Sequence, residues 1–205
     1  MVRSVKSINA AVDELARREQ AFARVLKEHG RPEPRASDPG ATTLLRTIVG
    51  QQVSVAAARS MWNKLEAAFG SPPDLAALLK ASDEELRAAG MSRQKAGYIR
   101  SLAELVLSGE LDLDSLPADD DEAIALLTRI KGIGRWSAEI YLLFAEGRAD
   151  IWPAGDLAVQ IEIGRLMGLE DKPSEKALRE MAEAWRPHRG AAAVLAWHSY
   201  NSSVL

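Results

Sequence analysis

The chain has 205 residues, no cysteine, and a formal net charge of −3 with a sequence pI near 5.7. This length allows one sizeable core or two small lobes, and the lack of cysteine excludes disulfides, zinc–thiolate sites and iron–sulfur clusters. Leu, Ala, Glu and Arg dominate and β-branched runs are scarce, which predicts an all-α fold.

The N-terminal stretch MVRSVKSINAAVDELARRE carries charges throughout and no segment approaches about 18 uninterrupted apolar residues, so neither a membrane span nor a secretory signal is expected. Ile8, Val12, Leu15, Phe22, Val25 and Leu26 share a helical face and predict one amphipathic helix from Ser7 to Glu28, ended at His29-Gly30. Residues 31–40, with three prolines and a glycine, read as a loop. Thr42–Val49 and Val55–Phe69 read as helices meeting at Gly50-Gln51-Gln52-Val53-Ser54, with Ser54 as N-cap.

Pro72 and Pro73 are expected to open a short helix, and Ser82-Asp83-Glu84-Glu85 forms a capping box for the next, ended by Gly90. Ser92 caps a longer helix through Leu107, and Asp119, Asp120 and Asp121 start the one that follows, where acids suit the helix dipole. Leu126, Leu127 and Ile130 keep helical spacing up to Lys131-Gly132-Ile133-Gly134, a turn whose glycines permit positive φ or close approach of another backbone. The pattern restarts at Arg135, with Trp136, Ile140, Leu143 and Phe144 on one stripe, and stops at Gly147. Two helices joined this way aim free backbone N–H groups and the positive end of a dipole at one point, which suits a phosphate.

Trp152-Pro153-Ala154-Gly155-Asp156-Leu157 then puts one carboxylate at the opening of a helix to Met167. As an isolated residue, Asp156 is also an ordinary N-cap. Helices over Ser174–Trp185 and His188–Tyr200, broken at Pro187, complete a total of about ten.

The segment LLTRIKGIGRWSAEIYLLFA followed by DIWPAGDLAVQ resembles the helix-hairpin-helix, loop and aspartate of the base-excision DNA glycosylase superfamily. IVGQQVSVAAA and WRPHRGAAAVLAW are similar to its 3-methyladenine DNA glycosylase II branch, in a short form without an N-terminal sheet domain. The resemblance implies two helical lobes in one glycosylase unit, 1–205. Lobe one covers about 41–147 and contains the hairpin 126–146; lobe two covers about 1–36 plus 151–205; the hairpin faces the interlobe cleft. It further implies a monomeric, monofunctional enzyme, cytoplasmic or nucleoid-associated, that flips alkylated purines such as 3-methyladenine and 7-methylguanine out of double-stranded DNA and hydrolyses the N-glycosidic bond.

An alkylated purine is already a good leaving group, so what the site must supply is a carboxylate to stabilise the cationic sugar while water attacks. The resemblance assigns that role to Asp156. Trp136 and Trp197 supply electron-rich faces for a cationic base. The resemblance implies that Gln51 and Gln52, in a turn that probes the minor groove, and Lys131, Gly132, Ile133, Gly134 and Arg135 contact DNA. Gln52 either wedges into the duplex or hydrogen-bonds the orphaned partner. Bifunctional relatives carry a lysine nucleophile where this chain has Trp136, so no lyase activity is expected.

No cofactor is required. The carbonyls of Thr128, Ile130 and Ile133 correspond to those that hold a structural monovalent cation in relatives. Two readings compete: a helix-hairpin-helix module that docks on DNA without catalysis, for which Gly132, Gly134 and the basic side chains would suffice, and a helical protein-interaction domain, favoured by the net negative charge. The DNA readings need a local positive field, for which Lys131, Arg135, Arg93, Lys95, Arg186 and Arg189 are the candidates.

Overall fold

The computed structural model describes residues 5–204, and side chains of 8–203; the first four residues of the charged N-terminal stretch and Leu205 lie outside the described residues. Among the described residues there are 12 α-helices, one 3-10 turn and no strand. In chain order these are α1 (Val5–Arg18), α2 (Gln20–His29), α3 (Ala41–Gly50), α4 (Val55–Phe69), α5 (Leu75–Lys80), α6 (Asp83–Ala88) and α7 (Arg93–Leu107). They continue with α8 (Asp120–Leu127), α9 (Arg135–Phe144), α10 (Leu157–Leu166), α11 (Glu175–Ala182), the 3-10 turn (Glu183–Trp185) and α12 (Arg189–Val204). None of these helices is long and apolar enough to cross a membrane.

The single first helix expected from Ser7 to Glu28 is two helices. Glu19 is extended, with φ −127 and ψ 113, and its carboxylate accepts the Ala21 N–H at 3.4 Å as the cap of α2. Without Gly or Pro at the break, and with Glu a weak N-cap, the apolar periodicity runs through it unmarked. The two prolines before α5 lie in the preceding turn, and Asp74 is the N-cap, its Oδ1 taking the Ala77 N–H at 2.7 Å. Ser54, Ser82 with Glu85, Ser92 and Asp156 cap helices as expected, and Asp119 and Ser174 do so as well, each accepting a backbone N–H.

The chain divides into two compact units, Ser37–Tyr141 and Met1–Ala36 with Leu142–Leu205. In the first, α7 is the central element. Its Ile99, Leu102 and Ala103 are fully buried, and it packs against α3, α5 and α6, which contribute Leu44, Leu45, Ile48, Leu78 and Leu86. Each such aliphatic side chain contributes about 1.5–3 kcal/mol of transfer free energy. In the second unit α12 packs on α10, α1 and α2 through a small-residue face of Ala191, Ala192, Ala193 and Ala196. Trp185 there meets Phe22 and Trp152 edge to face, both at 5.2 Å.

The division falls inside α9 and not after it near residue 147. The last turn of α9 belongs with the second unit: Phe144 lies 5.7 Å from the Trp197 ring, and Leu143 fills the space beside Gly190 that a Cβ would need.

Candidate active site

In the second unit, Ile151 to Ala154 are buried and the chain reverses at Pro153, whose carbonyl accepts the Asp156 N–H at 2.9 Å. Two side chains fasten this loop. Trp152 Nε1 donates to the Leu178 carbonyl at 3.2 Å, and buried Gln160, in the first turn of α10, donates to the Ala154 carbonyl at 2.7 Å while Lys172 donates to its Oε1. Nothing in the sequence singles out Gln160, because a polar residue at a helix start carries no periodic signal.

So fastened, Asp156 caps α10. Its Oδ1 accepts the Val159 N–H at 3.0 Å and the Trp197 Nε1–H at 3.1 Å. Asp156 and Trp197 are both half-buried. A carboxylate held in two hydrogen bonds at a helix N-terminus is oriented before any ligand arrives and sits in a field that favours negative charge.

In the first unit the hairpin turn between α8 and α9 is anchored by buried Ile130 and Ile133. Gly132 has φ +84, and a Cβ there would lie 2.1 Å from the Tyr98 ring, so no other residue fits. Gly134 is the opposite case: its φ is ordinary, it is exposed, and a Cβ would meet nothing within 4 Å. The fold does not require glycine at 134, but an anion approaching the first N–H groups of α9 meets no side chain there. Lys131 is exposed, and its backbone N–H bonds Ser101 Oγ at 3.1 Å.

Gln51 and Gln52 part company. The Gln51 amide donates to the Gly132 carbonyl at 2.8 Å and so ties the α3–α4 turn to the hairpin turn. Gln52 is exposed with φ +55, the one non-glycine residue with positive φ among those described, and Val53 and Val55 beside it are also exposed, at 38% and 79%. Trp136 is 47% exposed and lines the same concavity as Gln51, Gln52 and Gly132. Trp136 and Trp197 thus belong to different units. Trp62, Trp152 and Trp185 are buried, in keeping with packing roles.

Most of the basic side chains considered for a positive field are engaged within the protein. Arg135 pairs with Asp121 at 2.8 Å and with buried Glu139 at 3.0 Å, so its guanidinium is occupied although its backbone N–H still opens α9. Arg186 and Arg189 share Asp150 and Glu183. Lys95 is buried, its Nζ donating to the Val49 carbonyl at 2.7 Å, and burial lowers its pKa. Lys131 and Arg93 are exposed. These pairings join residues up to 46 positions apart by chain number, as between Val49 and Lys95, and periodicity does not reveal them.

The proposed cation ligands lie within this turn. The Ile130 carbonyl accepts the Ile133 N–H at 3.0 Å, while those of Thr128 and Ile133 take no backbone N–H among the described residues. Acceptors therefore remain for a hard cation. No cluster of three His, Asp or Glu side chains that could hold a metal occurs among the described residues.

Residues 45–187 match the model of the HhH-GPD superfamily of base excision DNA repair proteins. Among solved structures, the chain is similar to a DNA-3-methyladenine glycosidase from Bacillus halodurans, 31% identical, with a TM-score of 0.85 over 96% of this chain and 90% of that one. It is also similar to the Schizosaccharomyces pombe 3-methyladenine DNA glycosylase Mag1 in complex with abasic DNA, 28% identical, with a TM-score of 0.79 over 96% and 97% of the two chains. A curated Bacillus subtilis relative is 27% identical over 164 residues, and the match spans 76% of this chain and 57% of that relative.

Proposed function

Because the chain belongs to the HhH-GPD superfamily of base excision DNA repair proteins, in its 3-methyladenine DNA glycosylase branch, we propose that it excises alkylated purines from double-stranded DNA by hydrolysis. The observation that carries the reading is Asp156, a carboxylate oriented by Val159 N–H and by the indole of Trp197. As the bond from a cationic purine to its sugar breaks, positive charge gathers on the sugar ring, and a fixed carboxylate stabilises that charge without reorganising. The same group orients the water that adds to the sugar carbon. With tryptophan at 136 there is no amine at that position to form a Schiff base, so the reaction ends at an abasic site.

The hairpin serves binding. Backbone N–H groups at the start of α9, reached over the bare surface of Gly134, hold a phosphate of the damaged strand. The Thr128, Ile130 and Ile133 carbonyls would hold a monovalent cation that neutralises the same phosphate. Exposed Gln52, with its left-handed backbone, is the residue that enters the space left by the extruded nucleotide, and its amide can hydrogen-bond the orphaned base. With no cysteine in its sequence, this chain has no thiolate to hold an iron–sulfur cluster.

The experiment is incubation of the protein with duplex DNA carrying 3-methyladenine. Release of the free base with the phosphodiester backbone intact is expected; an intact lesion would reject the activity, and a nicked strand would reject the monofunctional mechanism.

A further inference from the structure

The unit Ser37–Tyr141 holds a concavity of about 880 Å³ between the α3–α4 turn, the start of α7 and the hairpin turn. In a chain with more acids than bases, its lining contains no Asp or Glu. It presents polar side chains instead, the amide of Gln52, the amide of Gln94, which donates one N–H to the Tyr98 hydroxyl at 2.5 Å and keeps a second, and two cations, Arg46 and Lys95. Lys95 is committed to the Val49 carbonyl, but its charge remains at the floor.

Arg46 differs from the other arginines of the two sites. Arg135, Arg186 and Arg189 each have a carboxylate oxygen within 3.0 Å, whereas the nearest one to Arg46, on Glu66, is 3.9 Å away. Its guanidinium lies over Trp62, 3.9 Å from the ring centroid, and the side chain is 56% exposed. Stacking fixes the plane of the guanidinium and leaves its edge donors for a partner, the geometry in which arginine binds phosphate.

We propose that this acid-free concavity is a DNA contact surface additional to the hairpin turn, taking the sugar–phosphate backbone of one strand with Arg46 and Gln94 as rim donors. The proposal rests on the glycosylase reading and adds to it a strand-binding surface outside the hairpin. A protein of net charge −3 can hold a polyanion in this way because the concavity that meets the strand is lined without acids.

The test is equilibrium binding to an abasic duplex over a range of salt concentrations for wild type, Arg46→Ala, Gln94→Glu and the control Arg129→Ala, with melting temperatures alongside. Arg129 pairs with Glu110 and does not line the concavity. Arg46→Ala is expected to weaken binding about tenfold at low salt and to lower the slope of log K against log salt by about 0.9, the loss of one phosphate contact. Gln94→Glu keeps the side-chain size, and an acid in the first turn of α7 suits the helix dipole, so it should fold and still weaken binding at least as much. Arg129→Ala should retain affinity and slope. Wild-type affinity and slope in folded Gln94→Glu, or equal losses in Arg46→Ala and Arg129→Ala, would overturn the proposal while leaving the glycosylase reading standing. Failure of wild type to bind duplex DNA would overturn both.

Discussion

Trp197 donates its indole N–H to Oδ1 of Asp156 at 3.1 Å, and that oxygen also receives the Val159 N–H that starts α10. One oxygen thus couples the proposed catalytic carboxylate to a helix N-terminus and to an aromatic ring. Beside the face proposed for a base, the indole of Trp197 thus offers a bond that sets the plane of the carboxylate. Trp197→Phe keeps an aromatic face and deletes the donor. A single hydrogen bond to a charged acceptor contributes about 1.5–3 kcal/mol, so single-turnover excision should slow by roughly tenfold to a hundredfold. Unchanged excision by a folded Trp197→Phe would remove the positioning role and leave only the face.

The two hairpin glycines make a contrasting pair. At Gly132 a methyl group would collide with the Tyr98 ring at 2.1 Å on a backbone with φ +84, so Gly132→Ala should lower stability by about 1–3 kcal/mol, seen as a fall in melting temperature. At Gly134 nothing obstructs a methyl group, and Gly134→Ala should melt like wild type yet bind abasic duplex several-fold more weakly, because the methyl stands where a phosphate approaches. Equal effects of the two on both measurements would contradict the assignment.

Stability should also depend on pH through Glu162. Burial raises this carboxyl's pKa, but the Arg165 contacts at 2.5 and 3.0 Å, together with Ser199, outweigh that and hold it below the usual glutamate range. A folded-state pKa depressed below the unfolded one, about 4.3, gives stability that is fully present above that value and is lost as pH falls through the folded pKa. Glu162→Gln should be less stable than wild type near neutrality, with the difference shrinking below about pH 4. Parallel melting-temperature profiles for the two proteins from neutral to acid pH would contradict this.

The parts of the site legible in the sequence were those written in local chemistry. Gly132 and Gly134 marked the turn, Asp156 followed a proline–glycine loop at a helix start, and Ser54, Ser82, Ser92 and Asp119 marked helix starts that the structure keeps. What periodicity could not disclose is the long-range pairing of side chains. The Gln51 amide reaches Gly132, 81 residues on, and Lys95 Nζ reaches back to Val49, so residues that read as surface donors are internal ties. The kink at Glu19 was hidden because the apolar stripe continues across it, both helices packing on α12.

The most direct measurement concerns Asp156 itself. Asp156→Asn preserves size and much of the N-cap capacity while removing the charge, so folding should change by about 1 kcal/mol or less. If the carboxylate stabilises a cationic sugar, single-turnover excision of 3-methyladenine should fall by roughly a hundredfold or more, with duplex binding retained or tightened. A module that only docks on DNA would have no excision to lose. Near-wild-type excision by a folded, DNA-binding Asp156→Asn would contradict the catalytic assignment.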